Sequence, residues 1–477
     1  MITYPKIILD VGELVEFTNE DIVSASILQE INPVSITLPI STFEVKLYSE
    51  DGRFSIFSGG EFYDSLSKRQ PMLVYESIEG TDHFLGKFYL NTWENSGEYE
   101  LDFTCFDIIG VLNATEYDGG FYPNNITLED ILSDLLDPLN IEFSIIDEAS
   151  KTVELRGWIP PGNYRDALQQ ICFAAGVTAQ SYRSKILKIG AIILPGNNVD
   201  EIYDRTILQT DKAIDQAVIL LPLVTSIELL SHEYAKGAEF RATEGGDERI
   251  DEGNDYRITY GDFTLVSETI FSEILLPGVY KIVFDKPYYN VVATGTGYLS
   301  IYRETEGGDE RVSENDEYRI VAGDYEYGPN CLYLTVYEPG GAILVTGYPW
   351  IDSSRSYLFE ESDLGEDITE NVLCIKEATM ISSENAQSIL NKLRDYYRQR
   401  YSQNITLFAK EADTNFYGAG IYGTGVYSAL KNVGVGDTVL VDVYSTYKLL
   451  AFIEKVDLDL TGGFKNNLDV VGIEYTA

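Results

Sequence analysis

Histidine is almost missing from this chain, with 2 in 477 residues, His83 and His232. A zinc site built on histidines and the HExxH arrangement of metalloproteases therefore have no ligands to draw on, and Ser-His-Asp catalysis would have to use one of these two. His83 follows Glu79-Gly-Thr-Asp82 and His232 precedes Glu233; neither adjoins a GxSxG elbow, and both contexts suit a structural or exposed histidine. The 4 cysteines, Cys105, Cys172, Cys331 and Cys374, are scattered without a CxxC pair in apolar or strand-like settings. They are expected to be reduced core residues. Long hydrophobic runs are also lacking: AVILLPLV at 217–224 is far too short to span a bilayer, and the start, MITYPKIILDVGE, has no basic region followed by an apolar core. No signal peptide and no membrane insertion are expected. Basic residues are few, 34 against 77 acidic, and a net charge of -43 repels nucleic-acid phosphates, so no direct nucleic-acid binding is expected.

Material for burial is ample. Hydrophobic residues make up 44% and aromatics 12%, with 35 Tyr, in a length that suits about three or four domains. From Ile36 to Leu112 the dominant period is two, in Ile36, Leu38, Ile40 and again in Leu101, Phe103, Cys105, with polar turns between. This predicts a β-barrel or sandwich over residues 1–115. Near Glu116 the pattern changes: Thr127 caps a predicted helix carrying Leu128, Ile131, Leu132, Leu135 and Leu136 until Pro138 stops it. In the same α/β segment, 116–215, Asn163 opens a helix with Tyr164, Leu168, Ile171, Cys172 and Ala175 on its apolar side, and Gly176 closes it. The polar face of that helix, Arg165, Asp166, Gln169 and Gln170, has no histidine near it in sequence and reads as part of a packing unit.

A repeat follows. RATEGGDERIDEGNDYRITYGDF at 241–263 recurs as RETEGGDERVSENDEYRIVAGDY at 303–325, within an all-β insertion expected over 236–340. The acidic loops 244–255 and 306–317 lack the alternation and late Glu of a helical calcium loop, and are expected to be solvated hairpin tips. Beyond an acidic linker, a helix over 383–401 carries Ala386, Ile389, Leu390, Leu393 and Tyr397 on one face, and alternation returns in VGVGDTVLVDV and KVDLDL. Residues 216–235 and 341–477 are thereby expected to form a second barrel-like domain.

Chemistry-bearing motifs are weak. Gly418, Gly420 and Gly423 fit GxGxxG, with Asp442 about 20 residues on as in dinucleotide sites; the flanking sequence is not a strand–helix unit and predicts a surface loop. A carboxylate pair for glycoside hydrolysis is available among so many acids, but Trp93, Trp158 and Trp350 are far apart in sequence and line no cleft. No catalytic, cofactor-binding or metal-ligating residue is assigned, no cofactor is expected, and the chain is expected not to be an enzyme.

Three passages in this order, DFTCFDIIGVLNATEYDGGFYPNNITLEDIL, GWIPPGNYRDALQQICFAAGV, and ENAQSILNKLRDYYRQRYSQNI followed by VGVGDTVLVDV and IEKVDLDLTGGF, resemble baseplate hub proteins of contractile tails from Gram-positive prophages and R-type bacteriocins, the late control D type. The resemblance implies a multidomain, β-rich α+β fold: two tube-like β-barrel domains with an α/β domain between them. It implies a structural homotrimer joining the sixfold tail tube protein to the threefold central spike protein, with other baseplate proteins and the tape-measure protein as neighbours. Such a protein is made in the bacterial cytoplasm, enters the tail particle and is released on lysis. The duplicated acidic hairpin departs from the plainest pattern. A tail-associated cell-wall hydrolase with a carboxylate pair and a carbohydrate-binding adhesin are the alternatives.

Overall fold

A computed structural model describes residues 3–48, 50, 56–57, 62–78, 81–97, 99–196, 205–209, 212, 217–236, 267–295, 301–302, 320–321, 325–336, 342–361, 370–407, 434–444, 447–461 and 465–475. Strand dominates, as the alternating stretches predict, and the chain is a β-rich multidomain protein whose described residues pack around three principal cores.

The first core is built by both ends of the chain. Strands Leu14–Phe17, Thr3–Asp10, Pro71–Ile78, Thr81–Glu94, Glu100–Phe106, Thr42–Tyr48 and Ile22–Glu30 follow one another across a sheet. From Ile22–Glu30 the path continues directly into Lys448–Asp459, Lys465–Tyr475, Tyr401–Leu407 and Val218–Leu220, with Thr438–Asp442 also paired to Lys448–Asp459 and Arg205–Ile207 paired to Thr438–Asp442. Each strand turns alternate residues inward, as the two-residue period of an extended chain requires. Phe43, Val45 and Leu47, then Leu101, Phe103 and Cys105, then Val456, Leu458 and Leu460 are all buried in this one core.

The second core is helical. Its helices are α1 (Ile108–Asn113), α2 (Leu128–Leu136), α3 (Glu148–Lys151), α4 (Tyr164–Ala175) and α5 (Ala386–Tyr397). The predicted caps form: Thr127 Oγ1 accepts from the Asp130 N–H at 3.2 Å and Asn163 Oδ1 from that of Asp166 at 2.8 Å. Gly176 sits at φ 65°, where a residue without Cβ ends α4 without strain. Short strands Glu154–Ile159, Gly120–Thr127, Phe143–Ile145, Leu187–Gly190 and Thr178–Gln180 flank these helices.

Residues 216–235 and 341–477 divide among three cores. Val218–Leu220 and the strands beyond residue 400 join the large sheet, whereas Ser226–Ser231, Arg355–Glu360 and Val372–Ile375 form a small sheet whose Ile227 and Leu229 pack with α5 on the helical core. The third core, with Ile282, Phe284, Leu332, Leu334, Ile343 and Val345, lies between Glu268–Ile274, Ala342–Asp352 and Tyr288–Gly295 on one side and Gly278–Val283, Cys331–Val336 and Tyr325–Tyr327 on the other. The loops 244–255 and 306–317 and the glycines at 418, 420 and 423 lie outside the described residues.

Two sequence expectations are corrected. Ile36, Leu38 and Ile40 do not form a strand: residues 31–41 cross irregularly from the large sheet to the helical core, where Leu38 is buried. Cys374 is exposed rather than in a core, because Val372–Ile375 turns Leu373 and Ile375 inward and Cys374 outward; its thiol donates to Glu228 Oε2 at 3.1 Å. Cys105, Cys172 and Cys331 are buried and unpaired, as expected.

Candidate assembly joints

No catalytic site was expected, so the features that bear on function are the joints that set one unit against another. The first joins the two ends of the chain. Ile22–Glu30 runs antiparallel to Lys448–Asp459 with Ile27 opposite Leu458 and Glu30 opposite Lys455. Ile31 N–H donates to Glu454 O at 2.9 Å and Leu460 N–H to Ala25 O at 2.9 Å, extending the ladder past both ends. Ile27, Val456 and Leu458 are at most 2% exposed. Their burial contributes about 1.5–3 kcal/mol each. The Lys455–Glu30 ion pair at 2.7 Å is 36% exposed on both sides and, screened by solvent, adds under about 1 kcal/mol.

The second joint is the polar face of α4. Arg165 Nε donates to Leu38 O at 2.7 Å, Gln169 Nε2 to Ser35 O at 2.6 Å and to Ile36 O at 3.2 Å, and Gln170 Nε2 to Glu377 O at 3.3 Å. Arg165 and Gln169 thus converge on the backbone of residues 35–38, while Gln170 reaches the separate segment at Glu377. The irregular stretch 31–41 has carbonyls that no strand ladder satisfies, and α4 supplies the donors. Sequence reading placed the four polar residues on one face correctly but had no signal for what they hold. Asp107 completes this region: it caps α1 by accepting from the Gly110 N–H at 3.1 Å and from Ser181 Oγ at 3.2 Å. Burial pushes its carboxyl up to about 6, against the hydrogen bonds from Gly110, Ser41 and Ser181.

On the far side of the helical core, Lys392 of α5 donates to Gly176 O at 2.6 Å, and Asn385 Nδ2 to Ala174 O at 3.0 Å. Burial lowers the Lys392 ammonium, offset by the charge of Asp147. Tyr396 at the other end of α5 donates to Glu454 Oε1 at 2.8 Å, tying the helix to the strand that bridges the sheet halves. Gly157, at φ 145°, lets Glu154–Ile159 run against residues 379–380: a Cβ there would lie 2.5 Å from Thr379 O and 2.8 Å from Met380 Cα.

The third joint seats the all-β unit on the helical one. Asp118 receives both Lys281 and Tyr333, and Trp158 Nε1 donates to Asn330 Oδ1 at 2.7 Å. The Lys281 contact, despite burial of Asp118, holds that carboxyl below its ordinary range. Arg156 pairs with Glu233 at 2.8 Å, and Ser383 donates to the same carboxylate. Phe121 packs on Trp350 at 4.8 Å between centroids and on Tyr234 at 5.7 Å. Trp158 lies opposite Phe121 in the strand pair, so this strand pair brings Trp158 and the residue on which Trp350 packs, distant in sequence, to one joint. Tyr289 and Tyr348 extend this aromatic seam, and Lys236 lies over the rings of Tyr289 and Trp350 at 5.1 and 5.3 Å.

The two histidines part company. His83 is on Thr81–Glu94 opposite Glu76. His232 is 7% exposed and lies at the third joint, Nδ1 at 2.7 Å from Asp352 Oδ2 and Nε2 at 3.1 Å from Lys376 O. Both ring nitrogens are thus occupied, and neither faces a serine hydroxyl. Among the described residues there is no cluster of three or more His, Cys, Asp or Glu placed to hold a metal ion. No helix among them is long and apolar enough to cross a membrane.

No family model matches the chain, and no curated protein matches it. Among solved structures, the tail protein from Neisseria meningitidis aligns with a TM-score of 0.51 at 9% identity, covering 99% of this chain and 97% of that one. The prophage MuSo2 43 kDa tail protein from Shewanella oneidensis aligns with a TM-score of 0.48 at 12% identity over 99% and 98% of the two chains. A prophage tail protein from Listeria monocytogenes aligns at 0.45 and 10% identity over 99% and 95%. The described chain therefore shares, end to end, the fold of the Neisseria tail protein.

Proposed function

We propose that this chain is a structural component of a phage-type tail and, more specifically, the baseplate hub of a contractile tail, in a phage or an R-type bacteriocin. The observation that carries the reading is the sheet that runs from the first strands of the chain through Ile22–Glu30 and Lys448–Asp459 into the last, in a fold shared over its whole length with a tail protein. A sheet made by both ends of one chain places two β units side by side as a fixed pair. We assign the strands of 1–115, and Val218–Leu220 with the strands beyond residue 400, to two tube-like barrels, 116–215 with Ser226–Ser231, Arg355–Glu360 and Val372–Ile375 to the α/β unit between them, and 236–340 with Ala342–Asp352 to the insertion. Three copies then offer six barrel units to a sixfold tube protein above and threefold symmetry to a spike protein below. Other baseplate proteins and the tape-measure protein are the remaining partners, and the role is structural rather than enzymatic.

The joints support this reading physically. A part that transmits force between tube and spike must move as one body, and the buried apolar contact and backbone hydrogen bonds at the seam between the chain ends, with the side-chain hydrogen bonds and aromatic packing at the other joints, resist relative motion. Cryo-electron microscopy of the chain with its tube and spike partners tests the proposal: a threefold ring with the two sheet halves at equal radius is expected, and six copies or halves at unequal radii would refute it. Release of reducing ends from purified cell walls, abolished by mutation of one acidic residue, would favour the hydrolase instead.

A further inference from the structure

We propose that His232 is a doubly protonated clasp at the neck of the all-β insertion, and that loss of one imidazole proton loosens the insertion from the helical unit. The neck consists of Tyr234–Lys236, where the chain leaves for the insertion, and the end of Ala342–Asp352, where it returns; the two pair antiparallel, with Tyr234 opposite Asp352. His232 lies two residues before one stem and Asp352 ends the other. Its Nδ1 is 2.7 Å from Asp352 Oδ2 and its Nε2 is 3.1 Å from the carbonyl of Lys376. A peptide carbonyl has no proton to give. Asp352 accepts from the Glu233 N–H with its other oxygen, Oδ1, at 3.2 Å, and as an ionised carboxylate it has no proton to give at Oδ2. An imidazole facing two acceptors satisfies both only when both nitrogens carry protons; the neutral ring donates once and turns a lone pair on the other acceptor.

The surroundings make that loss matter at the neck. His232 is 7% exposed, so water does not readily replace the missing donor. Its own N–H is fixed to Ile381 O at 2.7 Å, which anchors the ring to the segment leading into α5. The charged and titratable groups on the packed elements are few. Asp352 comes from the returning stem, and Tyr234, on the outgoing stem, lies parallel to the imidazole at 6.3 Å. Glu233 is turned away to Arg156 and Ser383. Lys376 offers its carbonyl, while its ammonium acts on Glu228 and Cys374. Arg355 lies over Tyr357, with its carbonyl taken by Ser231. Asp352 is thus the single carboxylate in contact with the ring among the described residues, and imidazole protonation is the change that alters the bond count there.

The sign follows. The clasp is complete while both ring nitrogens carry protons and is lost when rising pH removes one of them. The sequence holds 2 histidines, so 15N-histidine labelling of the full chain, with His83→Asn for assignment, isolates the His232 signals. Both nitrogens are expected to show protonated shifts at pH 5.5, with one reverting as pH rises. Hydrogen exchange, corrected for its intrinsic pH dependence, should show protection across 342–352 falling about tenfold over the same rise in pH. His232→Gln, with one donor end, should remove that pH dependence, and Asp352→Asn should leave the ring with a single proton at pH 5.5. A wild-type His232 carrying one proton at pH 5.5, or neck protection with the same pH profile in His232→Gln, would overturn the proposal.

Discussion

Leu458→Ala set against Lys455→Ala separates two accounts of how the ends of this chain are held together. Both residues lie on Lys448–Asp459 where it pairs with Ile22–Glu30, three positions apart. Leu458 is 2% exposed and stands opposite Ile27, at 0%, inside a core shared by both sheet halves. Truncating a leucine in such a place removes transfer free energy and leaves a cavity that a two-sided sheet core cannot close, for a cost of about 3 kcal/mol. Lys455 meets Glu30 at 2.7 Å, a shorter and more conspicuous contact, yet both side chains are 36% exposed, and the loss is expected to stay below about 1 kcal/mol. Urea unfolding followed by tryptophan fluorescence and circular dichroism reads the total. Because a chain with several cores need not unfold in one step, hydrogen exchange in 22–30 and 448–459 locates the change. Equal losses for the two variants, or an unchanged midpoint for Leu458→Ala, would show that charge rather than apolar burial holds the seam.

Other expectations test the remaining joints. With Asp107 raised to about 6 from an ordinary 3.8, the folded chain holds a proton that the unfolded chain has released between those values. Stability should therefore fall as pH rises from about 4 to 6, by roughly 3 kcal/mol; Asp107→Asn, which keeps a capping oxygen, should flatten that slope in urea titrations. Gly157→Ala should cost about 2–3 kcal/mol by driving a Cβ into Thr379 O and Met380 Cα, read as a lowered thermal midpoint. Gln169→Ala should cost about 1–3 kcal/mol by removing the donor to Ser35 O and Ile36 O, with exchange rising first in 31–41.

Comparison of residues with their final places shows where local reading stops. The two-residue alternation of Leu101, Phe103 and Cys105 and the helical spacing of Leu128, Ile131, Leu132 and Leu135 appear in the structure as buried faces. The caps at Thr127 and Asn163 and the left-handed Gly176 form where the sequence predicts them. These features depend on residues within one or two turns of each other, so the chain encodes them locally. Alternation misled at Ile36, Leu38 and Ile40, because an apolar pattern records burial and not the conformation that achieves it.

The amino-acid sequence by itself determined the strand-rich composition, the helices α2 and α4 with their caps and the apolar face of α5, and a chemistry poor in histidine and basic side chains. Tertiary structure alone decided which strands share a sheet: Ala25 and Thr461, 436 positions apart, meet across the seam. It also decided that the polar face of α4 is a set of donors for a passing backbone, and that Trp350 packs on Phe121. The reason is physical. Periodicity and capping are set by the few residues around each position, whereas a strand edge, an unpaired carbonyl or an aromatic face accepts any partner of the right chemistry, and only packing of the whole chain selects one.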